Sequence, residues 1–161
     1  MLQGKEGVFL ILHNIRSVYN VGSIFRSADA IAVTKIYLTG YTPAPVDRFG
    51  RSRKDFSKVS LGAEKSVLWE TRKNIRALLR ELKQKHVRIV ALEQHSRSVD
   101  YKKVKVRTPA ALILGNEVVG VPEWILKWCD STAEIPMRGG KGSLNVAVAA
   151  GIALFRFFDR N

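Results

Sequence analysis

Residues 135–158, IPMRGGKGSLNVAVAAGIALFRFF, constrain the fold more than any other part of the chain. The stretch opens on a short apolar strand end, Ile135, Pro136 and Met137, then crosses a loop (residues 138–143) holding three glycines and two cations. A helix pattern follows over residues 144–158, apolar almost all round. Such a helix is expected to be buried on most faces. Its small residues Ala147, Ala150 and Gly151 are spaced to admit another helix closely. A glycine loop running into a helix start offers free N–H groups and a positive dipole end, which suits an anion, a carboxylate or a cofactor backbone. The plain alternative is a strand–loop–helix connection with no ligand.

The preceding chain alternates in the same way. Residues 8–12 (VFLIL) read as a buried parallel strand. After a polar loop at 13–17, Asn20 is expected to N-cap a helix through about Val33. Residues 35–39 (KIYLT) are the second strand, ended by Gly40. Residues 40–60 are expected to be irregular: Pro43 and Pro45 interrupt them, and Arg48, Arg51, Arg53, Lys54 and Lys58 crowd together. This segment reads either as a mobile, solvated basic loop or as one that contacts RNA. A short helix is expected within 61–68, with Trp69 packed on the sheet edge. Residues 73–85 form an amphipathic helix with Ile75, Leu78, Leu79 and Leu82 on one face. Residues 88–93 and 110–114 are further strands joined by a polar connection. Pro122 starts a short helix to about Trp128, and residues 133–135 are the last strand. The alternation predicts an α/β fold with a mainly parallel sheet flanked by helices, as a single domain over 1–161.

Charge narrows the function. Lys and Arg number 27 against 14 acids, a net charge of +13. That surplus favours a polyanionic partner, most simply nucleic acid. No apolar run is long enough to span a bilayer; the terminal helix comes nearest, and Arg156, Asp159 and Arg160 end it. The first residues lack a basic start, an apolar stretch and a cleavage site, so no secretory signal is read and the expected setting is cytoplasmic. The single Cys129 excludes an internal disulfide and a cysteine-based metal cluster, and reads as a small packed residue near a helix end. No His, Cys or carboxylate spacing suggests a metal.

Three polar clusters, at 14–26, 115–120 and 138–145, sit where strands end, and ligands of open α/β sheets collect at carboxyl ends of strands. Familiar nucleotide motifs do not fit. Residues 139–143 (GGKGS) put Gly between Lys and Ser, unlike a P-loop, and no GxGxxG follows the first strand. The clusters instead resemble the three motifs of SpoU-type RNA 2′-O-methyltransferases of the SPOUT superfamily. They are NIRSVYNVGSIFRSADAIAV (14–33), LILGNEVVGVP (112–122) and IPMRGGKGSLNVAVAAGIALF (135–155), in the family's order and spacing.

The resemblance implies a fold whose C-terminal segment passes through a loop to make a deep trefoil knot, a rare departure from ordinary topology. It implies S-adenosyl-L-methionine bound bent in the knot crevice, a homodimer with the active site at the subunit boundary, and tRNA or rRNA as the partner. It also implies in-line attack of a ribose 2′-hydroxyl on the donor methyl, which leaves positioning and proton handling to the protein. By match to the motifs, the catalytic residues are Arg26, Asn20, Glu117, Ser143 and Asn145. Arg26 grips the RNA phosphate and the developing alkoxide, Asn20 orients Arg26 or the ribose, and Glu117 holds Arg26 or a substrate group. Donor contacts fall to Leu92, Gly115, Asn116, Gly120, Ile135, Met137, Ser143, Leu144 and Asn145. The two glycines are assigned to close approach of the donor. RNA contacts fall to Arg16, Arg48, Arg51, Arg53 and Lys54. Two other readings remain open: an RNA-binding protein that retains the knotted fold without activity, and methylation of a base nitrogen instead of the ribose.

Overall fold

The computed structural model describes residues 7–159; Arg160, expected to help end the last helix, lies outside them. Seven strands form one sheet: β1 (Val8–His13), β2 (Lys35–Thr39), β3 (Trp69–Arg72), β4 (Arg88–Leu92), β5 (Val99–Asp100), β6 (Ala110–Leu114) and β7 (Ser131–Glu134). Their order is β3-β2-β1-β6-β4-β7-β5, and every pairing is parallel. The expected α/β class with a mainly parallel sheet is observed. β6 is central and buried at all five positions, which is why AALIL reads as one continuous apolar run.

Six helices cover the two faces: α1 (Val18–Ala30), α2 (Lys54–Ser60), α3 (Ala63–Ser66), α4 (Ile75–Gln84), α5 (Glu123–Leu126) and α6 (Val146–Phe158). Alternate side chains of β1 divide between two cores. Val8, Leu10 and Leu12 meet α1, α2 and α6, while Ile11 meets α4 and α5. α4 buries Ile75, Leu78, Leu79 and Leu82, the face its periodicity marks, and Asn74 caps it by accepting from Ala77 N at 3.0 Å. Each such side chain taken from water stabilises the fold by about 1.5–3 kcal/mol. Phe25 of α1 meets Phe56 of α2 edge-on, ring centroids 5.2 Å apart. Cys129 packs as expected behind α5, and burial followed by the nearby Asp130 charge pushes its thiol up to about 12.

Several local expectations are corrected. Ser17, not Asn20, caps α1, with its Oγ accepting from Asn20 N at 3.2 Å; Asn20 is inside the first turn, and its side chain is turned to another use. α1 stops at Ala30 because the chain turns at Ile31 and Ala32, where φ is +55 at Ala32. Residues 40–60 are not irregular throughout. The proline-containing part ends in a small bridge, Val46 to Ser52, and α2 begins straight after it. Trp69 does not lie against the edge; it begins the edge strand β3, with Ile36 as its register partner. β5 is two residues long and carries no periodicity to read. α6 starts at Val146, because Asn145 accepts from Ala147 N and Val148 N and sets its first turn. Only one face of α6 is buried, through Ala150, Ala153, Leu154 and Phe158, whereas Val148 and Phe155 on the other are 52% and 46% exposed. Among the described residues no helix is long and apolar enough to cross a membrane.

Candidate active site

The loops leaving β4, β6 and β7 meet the start of α6 around an open crevice of ≈ 270 Å³. It lies at the carboxyl ends of those strands, where ligands of open parallel sheets bind. Leu92, Leu114, Ile135, Met137, Leu144 and Val146 give it apolar walls, and Glu93, Glu117 and Glu134 give it carboxylates. Of the expected donor contacts, Leu92, Gly115, Asn116, Gly120, Ile135, Met137, Ser143 and Leu144 line the crevice. Asn145 does not; it caps α6 beside it.

Gly115 and Gly120 are required by the wall itself. A Cβ on Gly115 would stand 2.5 Å from the Gly120 carbonyl carbon, and one on Gly120, where φ is +69, would strike the Glu93 carboxylate. Glu93 braces the same turn by accepting from Val121 N at 2.8 Å. Close packing of the chain on itself thus accounts for both glycines. Asn116 is similarly committed. Its Nδ2 donates to Asn14 O and Tyr41 Oη at 3.0 and 2.9 Å, and its Oδ1 accepts from Val118 N and Val119 N. What Asn116 can offer a ligand is therefore main chain.

A chain of hydrogen bonds ties the three clusters together. Glu117 accepts from Arg16 N at 3.0 Å, from Ser17 N at 3.1 Å and from Asn20 Nδ2 at 3.1 Å. Asn20 Oδ1 accepts from Asn145 Nδ2 at 3.0 Å, and Asn145 Oδ1 holds the first N–H groups of α6. One carboxylate thus serves the N-terminus of α1, where the helix dipole favours negative charge. Burial pushes the Glu117 carboxyl up, but the donors from Arg16, Ser17 and Asn20 outweigh it and hold the group below its ordinary value. An ionised carboxylate with three donors is a poor proton acceptor at neutral pH.

Beside this network His13 is buried, and burial lowers its pKa. Asn14 Oδ1 accepts from Tyr41 N, so Asn14 Nδ2 is the group facing His13 Nε2, at 3.3 Å. The neutral ring then carries its proton on Nδ1 and donates to Thr39 Oγ1 at 2.9 Å. Both ring nitrogens are engaged within the protein.

Arg26 does not join the network. It is exposed on α1, is absent from the crevice lining, and its side chain makes no hydrogen bond or ion pair among the described residues. Asn20 is six residues earlier, about 9 Å back along the helix axis. Around Arg26 lies an uncovered surface. Tyr19, one heptad before it, is 67% exposed, and the open face of α6 adjoins α1 where Gly151 passes Ser27.

The expected RNA contacts fall in two places. Arg16 is exposed just before α1, and its N–H is held by the crevice residue Glu117. Arg48 and Arg51 stand on the turn after Pro45, which is braced, not loose, and Arg53 and Lys54 open α2 directly after it. Asp47 accepts from Phe49 N and Arg51 N and pairs with the Arg51 guanidinium at 2.8 Å, while Arg53 grips Asp55. Missed at the sequence level were Glu93, Glu134 and Tyr41. Glu93 was visible as a lone carboxylate directly after the apolar strand residues Ala91 and Leu92; nothing local marked Glu134 or Tyr41.

The SpoU rRNA Methylase family model matches residues 7–155. The 23S rRNA (guanosine-2′-O-)-methyltransferase RlmB of Ralstonia nicotianae is 32% identical over 157 residues, covering 96% of this chain and 60% of that protein. The chain therefore spans about three-fifths of that relative. The AdoMet-bound rRNA methyltransferase from Sinorhizobium meliloti superposes with a TM-score of 0.80 at 27% identity, over 94% of this chain and 56% of that one. A protein solved for the 2-OH methylation of C/U34 on tRNA superposes with a TM-score of 0.78 at 26% identity, over 93% of both chains.

Proposed function

The chain belongs to the SpoU rRNA methylase family, and from that membership we propose that it is an S-adenosyl-L-methionine-dependent enzyme that methylates a ribose 2′-hydroxyl of tRNA or rRNA. The observation carrying this reading is the hydrogen-bonded chain Glu117–Asn20–Asn145, which draws three separated sequence motifs to one crevice. The names of the relatives support the reaction, and the AdoMet-bound neighbour supports the donor. The crevice fits such a molecule in kind. Its apolar walls suit a purine, its carboxylates suit hydroxyl and ammonium groups, and its volume is near the roughly 300 Å³ at which small-molecule sites begin.

Bound there, S-adenosylmethionine supplies a methyl group on a sulfonium that is already a good leaving group. The chain's residues supply position and proton control. Leu92, Ile135, Met137 and Leu144 exclude water from an adenine, with main chain at Gly115, Asn116 and Gly120 beside them. Glu117 fixes Asn20 and the start of α1, so Asn20 and Asn145 present amides in one arrangement, and Ser143 adds a hydroxyl at the mouth. Arg26 grips the RNA phosphate and the alkoxide forming at the 2′-oxygen. A guanidinium stays charged, Glu117 is saturated with donors, and His13 is capped on both nitrogens. None of these three groups therefore takes the 2′-hydroxyl proton, which passes to water as the methyl group bonds the 2′-oxygen and the thioether leaves.

The same reading makes the chain a single knotted domain acting as a homodimer in the cytoplasm. Support for the knot comes from β7 lying between β4 and β5, strands that both precede it in the chain. Support for the dimer comes from the uncovered apolar face of α6 beside α1, which leaves Arg26 exposed at the surface a second copy would cover. In that dimer Arg26 of one copy meets the crevice of the other.

The test is transfer of labelled methyl from S-adenosylmethionine to tRNA and to ribosomal RNA, with 2′-O-methylation mapped in cells with and without the protein. Loss of one ribose methyl in its absence is the expected result. RNA binding without any methyl transfer would leave the non-enzymatic reading in its place.

A further inference from the structure

The turn between the bridge residues Val46 and Ser52 presents an aromatic ring to solvent. Phe49 is 66% exposed within a strongly basic segment. The Arg48 guanidinium carbon stands over the ring 4.7 Å from its centroid, and that of Arg51 stands 5.0 Å from it. The ring is held in place. Asp47 accepts from Phe49 N at 2.8 Å and from Arg51 N at 3.0 Å, and binds the Arg51 side chain. Gly50 closes the turn at φ +77, and its N–H donates to Asp47 O at 3.0 Å. Arg48 has no anionic partner among the described residues. An exposed ring, two cations against it and a rigid backbone match the parts of a single-strand binding site, in which aromatic faces stack bases and cations track phosphate.

We propose that Phe49 is a stacking platform for an unpaired nucleobase of the RNA substrate, with Arg48 taking the adjoining phosphate and Asp47 keeping the platform rigid. The inference rests on the RNA reading above and adds to it that the enzyme engages a loop or single-stranded segment. Bases inside an A-form duplex offer no free face to a ring, whereas unstacked bases do.

The test compares a short uridine-rich single-stranded oligoribonucleotide with an RNA duplex of equal length, by fluorescence anisotropy over a salt series. Phe49→Ala should weaken single-strand binding about tenfold, the loss of one stacked base, and leave duplex binding unchanged. Its salt slope should match that of the wild type, since no charge is removed. Phe49→Trp should restore affinity, and Arg48→Ala should lower the slope by about one, the loss of one phosphate contact. A 5-iodouridine oligonucleotide should cross-link to Phe49. Single-strand affinity unchanged in Phe49→Ala, or an equal loss for strand and duplex, would overturn the stacking site while leaving the RNA reading intact. A wild-type protein that binds neither RNA would overturn both.

Discussion

Removing Glu117 tests whether the three motifs are held together as the hydrogen bonds indicate. In Glu117→Ala three donors lose their acceptor: Arg16 N, Ser17 N and Asn20 Nδ2. Hydrogen bonds to a charged group contribute about 1.5–3 kcal/mol each when buried. The Arg16 bond is exposed and the other two are half-buried, so about 0.5 kcal/mol for the first and about 1 kcal/mol for each of the others is the appropriate scale. The loss is then about 2–3 kcal/mol, or a fall in Tm of roughly 4–12 °C for a domain of this size. The stabilisation depends on the ionised form. Glu117 is held below its ordinary value of 4.5, so its contribution is full above about that pH and is lost as pH falls through the lower folded value. Urea denaturation of wild type, Glu117→Ala and Glu117→Gln from neutral pH down to acid reads all of this. The gap between wild type and Glu117→Gln should close toward acid. A Glu117→Ala variant as stable as wild type, with donor binding intact, would show that the carboxylate does not organise the site.

Arg26→Ala and Arg26→Lys should fold and bind the donor normally but lose single-turnover methyl transfer by roughly a hundredfold or more, as for other groups that stabilise transition-state charge. Gly115→Ala should destabilise by about 1–3 kcal/mol, because its methyl meets the Gly120 backbone and something must shift; calorimetry should show weakened donor binding with it. Replacing Arg51, Arg53 and Lys54 together by Ala should weaken RNA binding and flatten its salt dependence, while donor affinity holds; equal loss of both would make the turn structural. Val148→Glu or Phe155→Glu should yield folded monomers in light scattering, since both positions are exposed, whereas Glu at the fully buried Ala150 should unfold the chain.

Elements that bury a whole run or a clean face were legible in the sequence. The bounds of β2 and β6 were read as observed, and the buried stripe of α4 was read residue by residue. What failed did so for identifiable reasons. β3 and β5 are short edge strands with half-exposed side chains, so tertiary pairing and not pattern makes them strands. Asn20 and Ser17 are both competent caps, and what decided between them was Glu117, nearly a hundred residues on in the chain. Most of the crevice lining was legible through the motifs, because those residues follow strand ends. The network joining the motifs was not, since amide-to-amide contacts such as Asn20 to Asn145 leave no periodic trace.

Arg26 and the open face of α6 belong to one problem. Val148 and Phe155 lie one heptad apart on α6, as Tyr19 and Arg26 do on α1, and the helices pack side by side. Covering Tyr19, Val148 and Phe155 would be favourable by a few kcal/mol, at about 1.5–3 kcal/mol for a fully buried side chain and less for these half-exposed ones. Covering Arg26 with them would cost several kcal/mol unless an anion met it. The two energies are comparable, so in the proposed dimer a second copy covers this surface favourably only if it leaves Arg26 at the rim or presents it with negative charge. The crevice mouth meets the second condition, having three carboxylates in its lining and an RNA phosphate as the expected visitor. In the proposed dimer, a cation whose side chain has no partner within one copy would then stand where charge develops in the proposed reaction. Such a placement would account for a residue that the motif marks and its surroundings within a single copy do not.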